Sequence, residues 1–191
     1  MMLKRLIFGA FALVMAAQPA LANDRQDRAV TVVQVLLTDA HRAQVSNSNA
    51  TALRGAVSSA FAFDIWERYL VEDHAEKFSV QQRQQFTSTL PGFLAHLYSE
   101  QFGRGLNQAP VLGQPRKVRR DTMVASQFPR SKGGVLKVEW RVRDLPDQGS
   151  RVIDVMVGGT SFLLLKREEF GTIITRDGAE GLLDHMRRNS L

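Results

Sequence analysis

The strongest constraint on this fold is a change in apolar period partway along the chain. Up to about residue 110, apolar side chains recur at steps of three and four; from Val118 they recur at every second position. Leu136, Val138, Trp140 and Val142 alternate with Lys137, Glu139, Arg141 and Arg143, which predicts a strand with one buried face. Asp147-Gln148-Gly149 predicts a turn into a second strand, in which Ile153, Val155 and Val157 share a face. Residues 118–128 read as a weaker strand, and residues 131–134 as a turn. Such strands cannot bury an apolar face alone, so helices must cover them. The expected class is α+β: a curved antiparallel sheet covered by helices.

The helical half is expected over about residues 23–110, with the sheet and C-terminal helices over about 111–191. Val30, Val33, Leu37 and Ala40 line one face of a helix at residues 24–43, and small polar residues at 46–49 end it. A short helix follows at 51–60. Phe61, Ile65, Tyr69 and Leu70 continue at helical spacing, and Phe63 and Trp66 widen the arc. Ser79 and Gln82 form a capping box that opens a long helix carrying Phe86, Leu90, Phe93 and Leu97, with a kink expected at Pro91. That helix should end near Gly103-Arg104-Gly105. After Gly158-Gly159 the period is helical again, with Thr160 or Ser161 as N-cap. Asp177 and Glu180 predict the start of a terminal helix, whose C-terminal dipole suits Arg187 and Arg188.

The first 22 residues read differently. Lys4 and Arg5 precede an apolar stretch at residues 6–17, and Pro19-Ala20-Leu21-Ala22 supplies an A-x-A site. This is the layout of an export signal cleaved after Ala22, leaving residues 23–191 as one domain. The apolar stretch covers about 18 Å of helix, against the ~30 Å needed to span a bilayer. Losing Lys4 and Arg5 lowers the Lys plus Arg count from 25 to 23, against 19 Asp plus Glu, so the net charge falls from +6 to +4. Export removes nucleic acid as a partner of this basic chain. With no cysteine, the exported domain has no disulfide framework and no thiolate chemistry. Its core alone must hold it.

No catalytic or metal motif stands out. His41, His74, His96 and His185 are far apart in sequence, and no Gly-x-Ser-x-Gly, Walker or Gly-x-Gly-x-x-Gly pattern occurs. Neither a metal nor a cofactor is expected. Gly158-Gly159 reads as a strand-to-helix turn rather than an anion nest. Asp154 interrupts an apolar strand and either lines a cavity or pairs with a basic neighbour.

The bulky apolar supply is more informative. Phe61, Phe63, Trp66, Tyr69, Phe86, Phe93, Tyr98, Trp140, Phe162 and Phe170 fall on elements that should face one another. They either fill a core or border an opening between helices and sheet that takes an apolar ligand.

The stretch Val152-Ile153-Asp154-Val155-Met156-Val157-Gly158-Gly159-Thr160-Ser161-Phe162 resembles the V-x-D-V-x-V-x-G-x-S signature of the toluene-tolerance family, whose best-known members are MlaC-type periplasmic phospholipid-binding proteins. Lys166-Arg167-Glu168-Glu169-Phe170 and Asp177-Gly178-Ala179-Glu180-Gly181-Leu182-Leu183 match its R-x-x-F and G-x-x-G-L ending. Phe63-Asp64, Arg68, Ser79 to Phe86 and Tyr98 match its helical half. Arg151 before Val152, and the run after Leu70-Val71, depart from the family pattern at positions that bear on the rim and volume of the pocket.

The resemblance implies a cone like that of nuclear transport factor 2 with a deep apolar cavity, and a monomeric soluble carrier without catalysis. Such a carrier would shuttle phospholipid through the periplasm. Its partners would be an outer-membrane lipoprotein–porin complex and an inner-membrane ABC transporter with a substrate-binding ring. A hopanoid-like polycyclic lipid is the variant cargo. The candidate lipid contacts are the aromatic residues above other than Tyr98, together with Leu70, Leu90, Leu97, Val138, Val142, Ile153, Val155 and Val157. Arg116, Lys117, Arg119 and Arg120 would meet lipid headgroups or an acidic partner surface, or form a solvated face. The competing reading is an exported isomerase or dehydratase of the same cone fold, which needs Asp154 and His96 as an acid/base pair inside the cavity. A ligand-free adaptor would instead interdigitate the whole aromatic set.

Overall fold

The computed structural model describes residues 19–45, 49–102, 110–130 and 133–191. The apolar stretch 6–17, the glycines at 103 and 105, and parts of the expected breaks at 46–49 and 131–134 lie outside these residues. Among the described residues, five α-helices and six strands follow in the order expected from the change of period.

Helix α1 (Pro19–Val45) runs across the Ala22 position and buries Ala29, Val33, Leu36, Leu37 and Ala40. Arg28 donates to Asp144 at 2.6 Å, and Arg25 lies 3.3 Å from the same carboxylate, tying α1 to the end of the sheet. Helix α2 spans Asn49–Ala60 and α3 spans Phe63–Val71. Phe61 lies outside both helices, in an isolated parallel bridge with Val152. A 3-10 turn at Glu72–Lys77 leads to α4 (Val80–Phe102), which continues through Pro91. The capping box before α4 is formed: Gln82 N–H donates to Ser79 Oγ at 3.2 Å, and Ser79 N–H to Gln82 Oε1 at 3.0 Å.

The weak strand expected at 118–128 is divided. β1 (Val111–Leu112) and β2 (Arg116–Val118) pair in succession with β3 (Asp121–Pro129). Arg119, at φ 55°, makes the turn between β2 and β3. β4 (Val135–Leu145), β5 (Gly149–Val157) and β6 (Thr160–Ser161) complete an antiparallel sheet in the order β1-β3-β4-β5-β6. Val124, Ser126, Val138, Trp140 and Val142 are buried on its inner face, against the helices.

β5 corrects one expectation. Val142 stands opposite Val152 and Arg141 opposite Asp154, so a bulge leaves Ile153 without a partner. Val152, rather than Ile153, joins Val155 in the central core, while Ile153 is buried apart from it. On the outer face Asp121 accepts from Arg141 Nε and Arg143 Nε, both at 2.6 Å.

Helix α5 (Phe162–Arg188) is bent at Gly178, whose φ of 71° and ψ of −173° suit only glycine. The terminal helix therefore restarts between Asp177 and Glu180, as the sequence predicts. Asp177 itself accepts from Arg176 at 2.7 Å.

Candidate functional site

A cavity of about 640 Å³ opens between α3, α4, the start of α5 and the inner face of β4 and β5. Two tryptophans shape it, and each has its polar edge engaged by the scaffold. Trp140 donates its indole N–H to Ser126 Oγ at 2.8 Å, and Ser126 passes its own hydrogen bond to the Val138 carbonyl at 3.3 Å. Trp66 donates to the Val152 carbonyl at 3.4 Å, beside the Ala62 N–H at 3.0 Å, so the bulge in β5 supplies the acceptor. With these N–H groups satisfied, both rings, themselves fully enclosed, back the cavity as part of its apolar wall. Phe61 packs edge-on to Trp66 at 5.3 Å, Phe162 lies 6.5 Å from it, and Tyr98 lies 6.1 Å from Trp140.

The bend of β5 into α5 fixes the remaining wall. Gly158 and Gly159, both at positive φ, turn the chain into β6. Ser161 caps α5 by accepting from Leu164 N–H at 3.1 Å. The first turns of α5 thereby place Phe162, Leu165, Lys166 and Glu169 on the cavity wall.

The candidate lipid contacts divide into groups. Phe61, Trp66, Leu97, Trp140, Val155, Val157 and Phe162 line the cavity. Leu70, Phe86, Leu90, Phe93, Val138, Val142 and Phe170 do not line it; they are almost wholly enclosed in the core. Among these, Phe170 packs on Phe86 at 6.1 Å and on Phe93 at 5.5 Å, closing the space between α4 and α5. Ile153 is removed from the cavity by the bulge, and Phe63 touches it only through Phe61, at 6.2 Å. Tyr69 is 36% exposed and carries the Arg167 guanidinium 4.7 Å above its ring, while Arg167 also pairs with Asp73. Sequence reasoning missed Leu94, Gln101, Thr160, Leu165, Lys166 and Glu169, and it left Tyr98 unassigned. Leu165 and Lys166 stand one helical turn beyond Ser161 and Phe162, a placement that the N-cap signal could have supplied.

Arg116, Lys117, Arg119 and Arg120 lie on β2 and the turn after it, at the sheet edge opposite the β5–β6 side of the cavity. Arg116 pairs with Glu139 at 2.9 Å. None of the four lines the cavity.

Asp154 and His96 do not form an acid/base pair there. Asp154 accepts from Ser161 Oγ at 2.8 Å, from its neighbour Val155 N–H at 2.7 Å and from Leu163 N–H at 3.2 Å. Burial raises its pKa above the ordinary carboxylate value, against the opposing effect of these hydrogen bonds and of Arg141. His96 lies 3.6 Å from Glu100, and neither Asp154 nor His96 lines the cavity.

A larger groove of about 970 Å³ runs between α1 and the β1 region. Its lining mixes Gln26, Thr31, Gln34, Thr38 and His41 with Val30, Leu37 and Leu112, so it is less apolar than the cavity between helices and sheet. Among the described residues no cluster of three or more His, Cys, Asp or Glu could hold a metal ion. No described helix is long and apolar enough to cross a membrane.

The family model described as MlaC protein matches residues 26–188. Among solved structures, the chain is similar to the phospholipid-binding protein from Ralstonia solanacearum, which was solved in complex with a phospholipid. The TM-score is 0.68 at 18% identity, covering 86% of this chain and 96% of that one. At that identity the likeness shows the fold. No curated protein sequence matches this chain.

Proposed function

Because this chain belongs to the MlaC family, we propose that it is a phospholipid carrier that shelters acyl chains in the cavity between its helices and its sheet. The observation that carries this reading is the cavity wall itself: two tryptophans with satisfied N–H groups and a surround of Phe61, Leu97, Val155 and Phe162. Its volume of about 640 Å³ falls in the range of ligand pockets. Exposing a two-chain lipid of about 30 methylenes to water costs roughly 24 kcal/mol at ~0.8 kcal/mol each. Unassisted crossing of an aqueous space is therefore negligible. A protein cavity turns the crossing into two exchanges between apolar environments.

In this reading residues 1–22 are removed at Ala22 and the carrier works in the periplasm as a monomer. It takes lipid from, or delivers it to, an outer-membrane lipoprotein–porin complex and an inner-membrane ABC transporter with a substrate-binding ring. It carries out no reaction on its cargo. The basic edge at Arg116, Lys117, Arg119 and Arg120 is assigned to docking on an acidic surface of one of these complexes, because it stands on the sheet edge away from the cavity.

Native mass spectrometry of the protein purified from cells, with chromatographic identification of the extracted lipid, tests the proposal. A complex with one phospholipid supports it. A polycyclic lipid in its place would change the cargo, and protein free of lipid would refute the carrier reading.

A further inference from the structure

Lys166 is the one cation among the described residues that line the cavity, and its setting is unusual for a lysine. Its side chain is 15% exposed, with Nζ 5.5 Å from the Phe162 ring centroid and 6.0 Å from that of Phe93. Glu169 Oε2 accepts from it at 2.5 Å and is its one hydrogen-bond acceptor among the described residues. An ammonium carries three donors, so two are left for another acceptor. Glu169 is itself held twice, because its Oε1 lies 3.3 Å from His185 Nε2, and His185 rests on Phe93 at 5.9 Å.

We propose that Lys166 is the group that recognises the phosphate of the bound amphiphile. The proposal rests on the carrier reading above and adds to it the part of the lipid that the protein senses. A part-buried ammonium gains from a close partner, and Glu169 supplies one to Lys166 at the cavity wall. A phosphodiester entering beside Phe162 offers oxyanions to the free donors in a partly water-excluded place, where charge-assisted hydrogen bonds are strong. Glu169 is not stranded when Lys166 turns to the phosphate, because His185 remains at its other oxygen. The cation–π contacts keep the ammonium at the wall throughout the exchange. Chemistry of this kind favours amphiphiles that carry a phosphate over neutral ones with the same chains. It leaves the rest of the headgroup unread.

The test uses the full exported chain, stripped of lipid and then offered vesicles of phosphatidylethanolamine and phosphatidylglycerol doped with a diacylglycerol of the same acyl chains. Mass spectrometry reads the ratio of phospholipid to diacylglycerol taken up. Wild type should favour phospholipid by at least about tenfold more than Lys166→Met, the size expected for a hydrogen bond to a charged group. Lys166→Arg, which keeps the charge, should retain most of the preference. Far-ultraviolet circular dichroism and the urea midpoint of lipid-free Lys166→Met check that the variant folds. An unchanged ratio in Lys166→Met overturns the assignment, and so does a ratio in Lys166→Arg no higher than in Lys166→Met. Millimolar inorganic phosphate should leave the wild-type ratio unaltered; if it erases the preference, the site takes free anion and the lipid assignment falls. Wild type that takes up neither lipid would instead overturn the carrier reading.

Discussion

Ser161 donates its hydroxyl to Asp154 at 2.8 Å, and between them the two residues accept from two N–H groups in the first turn of α5, those of Leu163 and Leu164. One carboxylate in β5 thus sets the direction of the helix that carries Phe162, Leu165 and Lys166. Removing a helix cap costs about 1 kcal/mol, and a buried acceptor lost from backbone donors costs about 1–3 kcal/mol. Asp154→Ala should therefore lower stability by about 1–3 kcal/mol, and Ser161→Ala by about 1 kcal/mol. Because the two touch, the double variant should lose less than the sum of the singles in urea unfolding. Strict additivity would show that they act apart.

The two buried aspartates of the sheet should respond to pH in opposite directions. Burial lifts the pKa of Asp154 above the ordinary 3.8, so the folded protein holds this proton more tightly than the unfolded chain, and the stability it contributes in acid is lost as pH rises through the raised value. Burial also pushes Asp121 upward, but hydrogen bonds from Arg143 and Arg141 outweigh it and hold the pKa below 3.8. The contribution of Asp121 is complete above that value and is lost as pH falls through the depressed one. Asp154→Asn should cost less at pH 7 than in acid, whereas Asp121→Asn should cost more at pH 7 than in acid. Urea midpoints measured across pH check both, and parallel profiles for the two variants would contradict the assignment.

Core and cavity aromatics should separate by experiment. Phe170 is fully enclosed between Phe86 and Phe93, so Phe170→Ala should destabilise by about 3–5 kcal/mol. Leu97 borders open space, and Leu97→Trp should reduce lipid content severely while costing lipid-free protein less than about 1–3 kcal/mol, the range for overpacking. Unfolding midpoints and lipid content, measured on both variants, decide it.

What was legible in the sequence follows from how local each signal is. The Ser79–Gln82 box and the alternation of β4 depend on neighbours a few residues away, and both are formed as expected. Ile153 was assigned to the wrong face because a bulge adds one residue to the alternation, and Val152-Ile153 offers apolar side chains to either register. The break at Arg119 has no glycine, proline or asparagine to announce its left-handed turn, so β2 and β3 read as one strand. Phe86 and Phe170 are chemically like Phe61 and Phe162. Only the packing of α4 on α5 closes one group while leaving the other around a void. Lys166 was passed over for the same reason: in sequence it is one charge in a charged run, and its place over Phe162 exists only once Ser161 has started the helix.

Lipid bound in the cavity should also stabilise the fold. A ligand present at 100 times its dissociation constant adds about 2.7 kcal/mol. Removing lipid should therefore lower the melting temperature of wild type by several degrees. Leu97→Trp should show almost no such drop; an equal drop in both would place the lipid elsewhere.

Uptake of phospholipid into this cavity can be read by vesicle extraction. Lipid-free protein is mixed with phospholipid vesicles, separated from them by flotation, and its phosphorus content measured. The wild-type fraction should carry close to one phospholipid per chain, and the Leu97→Trp fraction almost none. A wild-type fraction without phosphorus, or a Leu97→Trp fraction loaded like wild type, would contradict uptake into this cavity.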